Sequence, residues 1–338
     1  QNNSGNIHSR TTAYSKTIQN VDANHTISAP IALSYAVGFD VASGTTLTQS
    51  GVISGDYNLT KTSAGTLKLT AENTFAPNNT IYFDTGTLEI GPTAATDPLD
   101  AKYLLMGWSG NTTLKLSGSV NFTLDQNNSG NIEIRSTGGT KTIQNVDANH
   151  TIAEPITLNG AVVMDVASGT TLTQSGIVSG DNNLTKTSAG TLKLTAENTF
   201  AANNTIYFDT GTLEIGPTAA TDPLDAKYLL MGYSGDTTLK LSGSVNFTLD
   251  QNNSGNIEIR STGGTKTIQN VDANHTISAP ITLNYALGVD VASGTTLTQS
   301  GVISGSYGIT KTSTGTLTLS GNNNNSYAGG TTVNAGTL

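Results

Sequence analysis

Residues 126–132 read Gln-Asn-Asn-Ser-Gly-Asn-Ile, and the same seven letters begin at Gln1 and again at Gln251. Other stretches, among them Thr-Thr-Leu-Thr-Gln-Ser-Gly, recur with the same spacing of 125 residues, so the copies share one register without a gap. Tandem copies of this kind predict one continuous solenoid, in which each unit stacks on the last to bury a shared core. The 338-residue chain divides into two full modules, 1–125 and 126–250, and a partial third module, 251–338.

Each module contains short strand-like segments that recur with a period of roughly 20 residues, which lies in the range of known solenoid repeats. Apolar and polar side chains alternate within them: in Gly-Thr-Leu-Lys-Leu-Thr, Leu192 and Leu194 point to one side and Lys193 to the other. A period of two with one apolar face is typical of a half-buried β-strand. In the second module these segments include residues 131–134, 151–158, 162–166, 171–173, 191–194, 212–215, 238–241 and 245–249.

Differences between the modules follow the same alternation. Three positions that share one face of a strand stay apolar while their size changes, and Asp40 is kept between them on the opposite face, as Asp165 and Asp290. This is the pattern of a one-sided core. The apolar sets are Val37, Phe39 and Val41; Val162, Met164 and Val166; and Leu287, Val289 and Val291.

The fold class follows from composition and turn chemistry. Charged residues make up only 12% of the chain, and no stretch places apolar residues at helical spacing between capping signals, so the chain is all-β. A sandwich would show two-residue Asn-Gly or Asp-Gly hairpins, which are few here. We therefore predict a right-handed parallel β-helix (β-solenoid) with about six coils per module, with Asn and Thr stacked as hydrogen-bonded ladders at the corners.

Charge and cysteine content exclude several function classes. The formal net charge is −9 and the pI is near 4.8, which removes the electrostatic basis for binding nucleic acid. No run of 18 apolar residues exists, so no membrane span is expected in this segment, and the opening residues do not read as a secretory signal. Cysteine is absent, which excludes disulfides and thiolate metal sites.

The last 24 residues carry a family resemblance. They contain Gly-Thr-Leu-Thr-Leu-Ser-Gly from Gly315, an Asn-Ser-Tyr step at Asn325, Gly-Gly-Thr at Gly329, and a closing Val-Asn-Ala-Gly-Thr-Leu from Val333. This segment resembles the autotransporter-associated β-strand repeat, also called the passenger-associated transport repeat, although its loop holds two or three additional Asn residues. Degenerate versions that lack the Gly-Gly-Thr corner occur at residues 65–88 and 190–213.

That resemblance implies a β-helical passenger of a type V secretion system, displayed outside the bacterial outer membrane. It implies a translocator barrel outside this segment, so the sequence reads as an excerpt of a longer protein. The family has no catalytic residues to carry over, and its members include adhesins and other large surface proteins. The repeat is thought to assist folding of the passenger at the cell surface.

One segment of each module is less repetitive than the rest and is the candidate binding site. It consists of a Pro-containing loop followed by Tyr-Leu-Leu-Met-Gly and an aromatic residue. Function often concentrates in loops that project from a regular scaffold, and the alternative is a corner that packs its aromatic residues onto the solenoid. The candidate residues are Asp97, Asp100, Tyr103 and Trp108 in the first module and Asp222, Asp225, Tyr228 and Tyr233 in the second.

Other residue types offer weaker candidates for sites. His25, His150 and His275 are module equivalents too far apart to share a metal, and we expect them at solvated corners. Thr-x-Thr pairs resemble the arrays of ice-binding solenoids, but Lys or Glu replaces them on other coils. Sequons begin at Asn24, Asn58 and Asn121, although a chain this rich in Asn and Thr produces them by chance. No catalytic residue, metal or cofactor is expected.

Three functions remain open at this stage. The leading hypothesis is a structural or adhesive rod of an exported surface protein, with other copies of itself, a host or neighbouring cell surface, or glycans as partners. A second is a subunit of an extracellular filament, since the ends of a solenoid are exposed strand edges. A third is a β-helical polysaccharide-active enzyme that uses its Asp pairs.

Overall fold

The computed structural model describes residues 7–8, 16–94, 97–125, 130–219, 222–250, 255–320 and 325–338. These residues form 40 short strands and no helix, and the strands pair in parallel, in about 14 turns of a β-solenoid. The prediction of an all-β parallel solenoid is confirmed. The chain divides into two compact units, residues 1–165 and 166–338.

The first unit stacks its strands in rows, and consecutive strands of a row lie two or three positions apart along the chain. One row runs β1-β4-β7-β10, the second β2-β5-β8-β11-β13-β16-β19, and the third β3-β6-β9-β12-β14-β17-β20. The strands are β1 Ile7–His8, β2 Lys16–Asn20, β3 His25–Ile27, β4 Ile31–Leu33, β5 Val37–Val41, β6 Thr46–Gln49, β7 Ile53–Gly55, β8 Leu59–Thr62, β9 Thr66–Leu69, β10 Thr74–Phe75, β11 Thr80–Phe83, β12 Gly86–Ile90, β13 Tyr103–Met106, β14 Thr112–Leu116, β15 Thr123–Leu124, β16 Asn131–Arg135, β17 Lys141–Asn145, β18 His150–Ile152, β19 Ile156–Asn159 and β20 Val162–Val166.

The second unit is built in the same way. Its longest row runs β21-β24-β27-β29-β32-β35-β38-β40, and another runs β23-β26-β28-β31-β34-β37. The strands are β21 Thr171–Gln174, β22 Val178–Gly180, β23 Leu184–Thr187, β24 Thr191–Leu194, β25 Thr199–Phe200, β26 Thr205–Phe208, β27 Gly211–Ile215, β28 Tyr228–Met231, β29 Thr237–Leu241, β30 Thr248–Leu249, β31 Asn256–Ile259, β32 Lys266–Asn270, β33 His275–Ile277, β34 Ile281–Leu283, β35 Leu287–Val291, β36 Thr296–Gln299, β37 Ile303–Gly305, β38 Ile309–Thr312, β39 Thr316–Leu319 and β40 Thr331–Val333.

A turn therefore has three sides, and its length varies. Thr46 pairs with Thr66 across a short turn, whereas Thr112 pairs with Lys141 across a longer one. Among the described residues, one module contains fifteen strands and one isolated bridge at Leu99, which makes sixteen sides. Sixteen sides are five and one third turns, compared with the six coils expected from the sequence. The difference arises at the corners, which are longer than a minimal turn requires.

A module contains five turns and one further side, so the next module begins in a different row of strands. In the first unit β1 lies in the row of β4, while its module equivalent β16 lies in the row of β2. In the second unit β22 pairs with β25, while its equivalent β37 lies in the row of β23. Equivalent residues of consecutive modules therefore occupy different sides of the solenoid.

Inward side chains stack directly on one another to form the core. In the third row of the first unit, Leu47 pairs with Leu67, Leu67 with Leu88, and Leu88 with Leu114, and all four are at most 2% exposed. Burial of each such side chain contributes roughly 1.5–3 kcal/mol. The alternation read from the sequence is confirmed for Leu192 and Leu194, which are buried, while Lys193 lies on the outer face.

Outward polar residues also contact the next turn. Lys68 Nζ lies 2.7 Å from Glu89 Oε1, Lys115 Nζ lies 3.1 Å from Glu89 Oε2, and Ser117 donates to Oε1 at 2.8 Å. Burial of Glu89 opposes its ionisation, but these three donors outweigh burial and hold its pKa below the ordinary value. Glu214 repeats the arrangement in the second unit with Lys193 and Lys240.

Corner asparagines satisfy backbone groups of neighbouring turns. Asn73 Oδ1 accepts from the Ile53 N–H at 2.9 Å, and its Nδ2 donates to the carbonyls of Ala71 and Pro98. The sequon residue Asn58 accepts the Thr80 N–H at 2.9 Å. These amides are part of the solenoid's backbone hydrogen bonding.

A module-length deletion tests the sixteen-sided repeat. Removing residues 126–250 joins Asp125 to Gln251, which recreates the native Asp125–Gln126 junction and removes a whole number of sides. We expect this variant to keep the β-sheet circular dichroism signal per residue and a cooperative thermal transition. The control deletes residues 126–240 and joins strands out of register, so it should aggregate. Equal behaviour of the two deletions would contradict the repeat.

Candidate functional site

The carboxyl groups predicted in the loop form one compact cluster in the first unit. Asp97 Oδ1 accepts the Leu99 N–H at 3.3 Å and the Asp125 N–H of the following turn at 3.4 Å. Burial, opposed by these two bonds and reinforced by the charges of Asp100 and Asp125, raises the pKa of Asp97 to about 6. Asp97 therefore joins two turns of backbone, and its carboxyl group is protonated at a higher pH than that of an ordinary aspartate.

The second unit repeats this cluster. Asp222 accepts from the Leu224 N–H at 3.5 Å and from the Asp250 N–H at 3.4 Å, and burial again raises its pKa to about 6. Burial and the charges of Asp250 and Glu197 raise the pKa of Asp225 as well. Asp222 also lines an open groove of about 560 Å³ with Asn246, Phe247, Thr248, Asn274, Thr276 and Thr298.

The aromatic candidates lie at the two ends of β13 and β28. The Lys102 Nζ lies 5.3 Å from the centre of the Tyr103 ring at the start of β13. Trp108 follows the end of this strand and is 56% exposed. The spacing of these two rings in the sequence corresponds to about 16 Å along an extended chain. Tyr228 and Tyr233 hold the same positions at β28, and Tyr233 is 64% exposed.

The eight predicted residues thus lie at two separate places in each unit, a carboxyl cluster and an exposed aromatic corner. Asp97 and Asp100 are brought together near the start of β13, whereas Trp108 lies at the corner after its end. In the part of the chain that the structure describes, no group of three or more His, Cys, Asp or Glu residues is arranged to hold a metal ion. The same residues contain no helix that could cross a membrane.

The prediction of solvated histidines is wrong for two of the three. His150 and His275 are 0% and 1% exposed, and their rings lie 4.0 Å from those of Phe122 and Phe247. His150 Nδ1 accepts the Phe122 N–H at 3.4 Å, and burial lowers the pKa of the ring. His25 is exposed, as expected.

Sequence reasoning missed a set of buried lysines. Lys61 and its module equivalents Lys186 and Lys311 are all 0% exposed. The ammonium group of Lys61 donates to the carbonyls of Thr62 at 3.3 Å, of Ser63, and of Thr85 on the next turn at 2.8 Å. Burial, opposed by the charge of Asp40, lowers the pKa of Lys61 to about 8.

The backbone at this corner is built around the ammonium group. Ser63, Ser188 and Ser313, with φ of 61°, 60° and 58°, are the non-glycine residues with positive φ in the described chain. Gly86, on the next turn, has φ of 76°, and a Cβ there would lie 2.4 Å from Lys61 Nζ. A left-handed serine costs about 1–3 kcal/mol, and the lysine holds the serine's carbonyl in place.

A sequence signal for this corner existed. The alternation in Leu-Thr-Lys-Thr places Lys61 on the same face as the buried Leu59. A lysine at an inward position was not expected to be buried, because a buried ammonium group requires several acceptors. Those acceptors come from the corner that follows and from the turn above, which the alternation does not reveal.

Comparison with known families places these corners inside a recognised repeat. Residues 59–90, 184–215 and 309–338 match the passenger-associated-transport-repeat family. These three matches overlap the segments 65–88, 190–213 and 315–338, in which the sequence showed the resemblance. Each match begins two residues before a buried lysine. No curated protein and no solved structure matches the chain.

Replacement of the buried lysines tests the role of the corner. Lys61→Met/Lys186→Met keeps the side-chain length but removes the donor to three carbonyls at each site. We expect the free energy of unfolding to fall by about 2 kcal/mol per site, the cost of leaving buried acceptors unsatisfied. Urea denaturation measures it. The matched control, Lys68→Met/Lys193→Met, changes part-exposed lysines and should cost less than about 1 kcal/mol per site. An equal loss of unfolding free energy in both double variants would show that the corner lysines have no special role.

The carboxyl clusters predict a pH dependence. The pKa of Asp97 and Asp222 in the folded chain, about 6, lies above the ordinary 3.8. Their contribution to stability is thus complete below about pH 4 and is lost as the pH rises through 6. Asp97→Asn/Asp222→Asn keeps an oxygen for the backbone donors. It should match the parent at pH 4 and exceed it at pH 7.5 by about 1–2 kcal/mol per site, allowing for solvent screening.

Urea unfolding at the two pH values provides the measurement. The control, Asp56→Asn/Asp181→Asn, removes the same number of carboxyl groups from exposed corners and accounts for the general effect of a lower net charge. A destabilised Asp97→Asn/Asp222→Asn variant at pH 7.5 would show that the charged form is the favoured one.

Proposed function

We propose that this chain is part of the stalk of an exported bacterial surface protein, an autotransporter-like passenger that holds a contact surface away from the outer membrane and mediates attachment. The observation that carries the proposal is the coincidence of three passenger repeats with three copies of one buried-lysine corner on a parallel solenoid. A match to this repeat points to a structural role and to an exported, surface-displayed protein.

The repeat has a property that suits folding after export. In the first match β8 pairs with β11 and β9 pairs with β12, all within residues 59–90. In the second match β23 pairs with β26 and β24 with β27. The first two repeats therefore each contain two stacked pairs of strands, and the third contains the pair β38–β40 together with an isolated bridge between Thr316 and Thr337. Each pair closes over a single turn. Short closures have a low entropic cost, which favours starting the solenoid here.

The buried lysine also joins the two ends of each repeat. Lys61 lies in the first strand of the match, and its third acceptor, the Thr85 carbonyl, lies on the corner before the last strand. Lys311 joins the first strand of the third match to the Ala335 carbonyl in the same way, at 3.2 Å. The lysine and its acceptors all lie within one repeat, so a repeat can form this contact as soon as its own residues have emerged from the membrane. The repeats therefore act as nucleation sites for the solenoid.

Attachment and display can be measured together in the bacterium that makes the protein. Excision of residues 126–250 from the full-length protein preserves the repeat junction and removes one passenger repeat. We expect protease-accessible display to persist on the remaining repeats, and attachment to cells or surfaces to fall several-fold because the contact surface is held closer to the membrane. A second strain carries Lys61→Met/Lys186→Met/Lys311→Met, and we expect its display to fall.

Controls separate the two effects. Lys68→Met/Lys193→Met in the same protein should leave display unchanged. Attachment that stays at the parental level in cells with normal display of the shortened protein would contradict the stalk. Normal display of the triple lysine variant would contradict the folding role of the repeats and leave the stalk to be judged by attachment alone.

A further inference from the structure

We propose that the corner bearing Trp108, with its copy at Tyr233, is a binding site for a neutral glycan chain of pyranoses. The aromatic ring would stack on the flat C–H face of a sugar, and planar polar side chains beside it would hydrogen-bond the hydroxyl groups. The site deepens the proposed function, because it would supply the contact that the stalk carries.

The aromatic ring is presented to solvent on a fixed corner. Thr137 on the next turn donates to the Trp108 carbonyl through its N–H at 2.8 Å and through its Oγ1 at 3.3 Å. Lys141 Nζ donates to the carbonyls of Gly110 at 2.5 Å and Gly138 at 2.9 Å, which ties the same corner to the next. More than half of the Trp108 side chain remains exposed. A rigid exposed aromatic side chain loses little entropy on binding.

Planar polar groups lie beside the ring in a fixed network. The Arg135 guanidinium lies 5.5 Å from the centre of the Trp108 ring, where it makes a cation–π contact. Its NH2 donates to Glu133 Oε2 at 2.7 Å, and Asn159 Nδ2 donates to Glu133 Oε1 at 2.7 Å. These groups offer both donors and acceptors in one network, which suits pairs of neighbouring sugar hydroxyls.

Two further side chains, Tyr82 and Leu105, lie next to this network. Tyr82 pairs with Leu105, and Leu105 pairs with Glu133, so the three side chains share the outer face of consecutive turns. Leu105 is only 7% exposed although it points outward. The exposed apolar surface of this corner is the Trp108 ring, and the polar groups of Arg135, Glu133 and Asn159 lie beside it.

The second unit repeats the contact to the aromatic residue's carbonyl, the Arg–Glu–Asn network and the outward leucine. The Tyr233 carbonyl accepts from the Thr262 N–H at 2.7 Å and from Thr262 Oγ1 at 3.0 Å. Arg260 donates to Glu258 at 2.6 Å, and Asn284 donates to the other oxygen of Glu258 at 2.6 Å. The outward Leu230 is 8% exposed.

Charge and size select the ligand class. The charge of Arg135 is compensated by Glu133, and the hydrogen bond from Arg135 is the largest of the effects that lower the pKa of Glu133, so the network stays ionised and neutral as a whole near pH 7. A net charge of −9 disfavours polyanions. One aromatic ring in a polar rim is far smaller than the apolar patch that a stable protein partner requires. A neutral glycan fits both conditions.

The chain contains a single tryptophan, so its fluorescence reports on this corner alone. Titration of the purified 338-residue chain with cellohexaose or chitohexaose should produce a saturable blue shift, with a dissociation constant on the order of 0.1–1 mM for one shallow site. Trp108→Tyr/Tyr233→Trp moves the only tryptophan to the second copy and should reproduce the response. Arg135→Ala should weaken binding at Trp108 by about tenfold, the loss of one charge-assisted contact.

Calorimetry with the same sugars supplies a readout independent of the reporter. Trp108→Ala/Tyr233→Ala should abolish the binding heat, whereas Tyr57→Ala/Tyr307→Ala, which removes exposed tyrosines from other corners, should not change it. The assignment is overturned if neither hexasaccharide shifts the emission at either tryptophan position, if only heparin does so, or if the Ala variant binds normally. These assays need no cells, so their failure leaves the attachment test of the stalk to be decided separately.

Discussion

The structure depends on the parallel pairing of each turn with the turns before and after it. A single turn cannot satisfy its own backbone, because its three strands lie in different rows and do not pair with one another. All of its donors and acceptors must be met by neighbouring turns. This requirement explains why Leu stacks on Leu inside, why Asn side chains at the corners accept N–H groups of other turns, and why the lysines beside Ser63 and Ser188 are buried.

The buried lysines show how the solenoid handles its corners. A corner leaves carbonyls that no strand can reach, and burial of such groups without donors is costly. One ammonium group satisfies three carbonyls from two turns, as Lys61 and Lys186 each do. Each segment that matches the passenger-associated-transport-repeat contains this group together with all of its acceptors.

Much of the fold could be predicted from the sequence, because alternation and stacking are local properties. The inward set Val162, Met164 and Val166 and the passenger repeats were both identified correctly. The number of turns per module was overestimated, since corner lengths depend on contacts between turns. Burial of His150 could not be foreseen for a similar reason, because Phe122, which covers it, lies on the preceding turn. The candidate binding segment remains a prediction, and its division into a carboxyl cluster and an aromatic corner follows from the length of β13.

Parallel register is the central claim, and spin labels test it most directly because the chain contains no cysteine. In β6 and β9, Thr46 pairs with Thr66, and Thr48 pairs with Lys68, all on the outer face. Nitroxides attached to cysteines at 46 and 66, or at 48 and 68, should show strong dipolar broadening in continuous-wave spectra, since paired strands lie about 4.8 Å apart. The crossed pairs, 46 with 68 and 48 with 66, should broaden less. Stronger broadening in the crossed pairs would mean antiparallel neighbours and would contradict the solenoid.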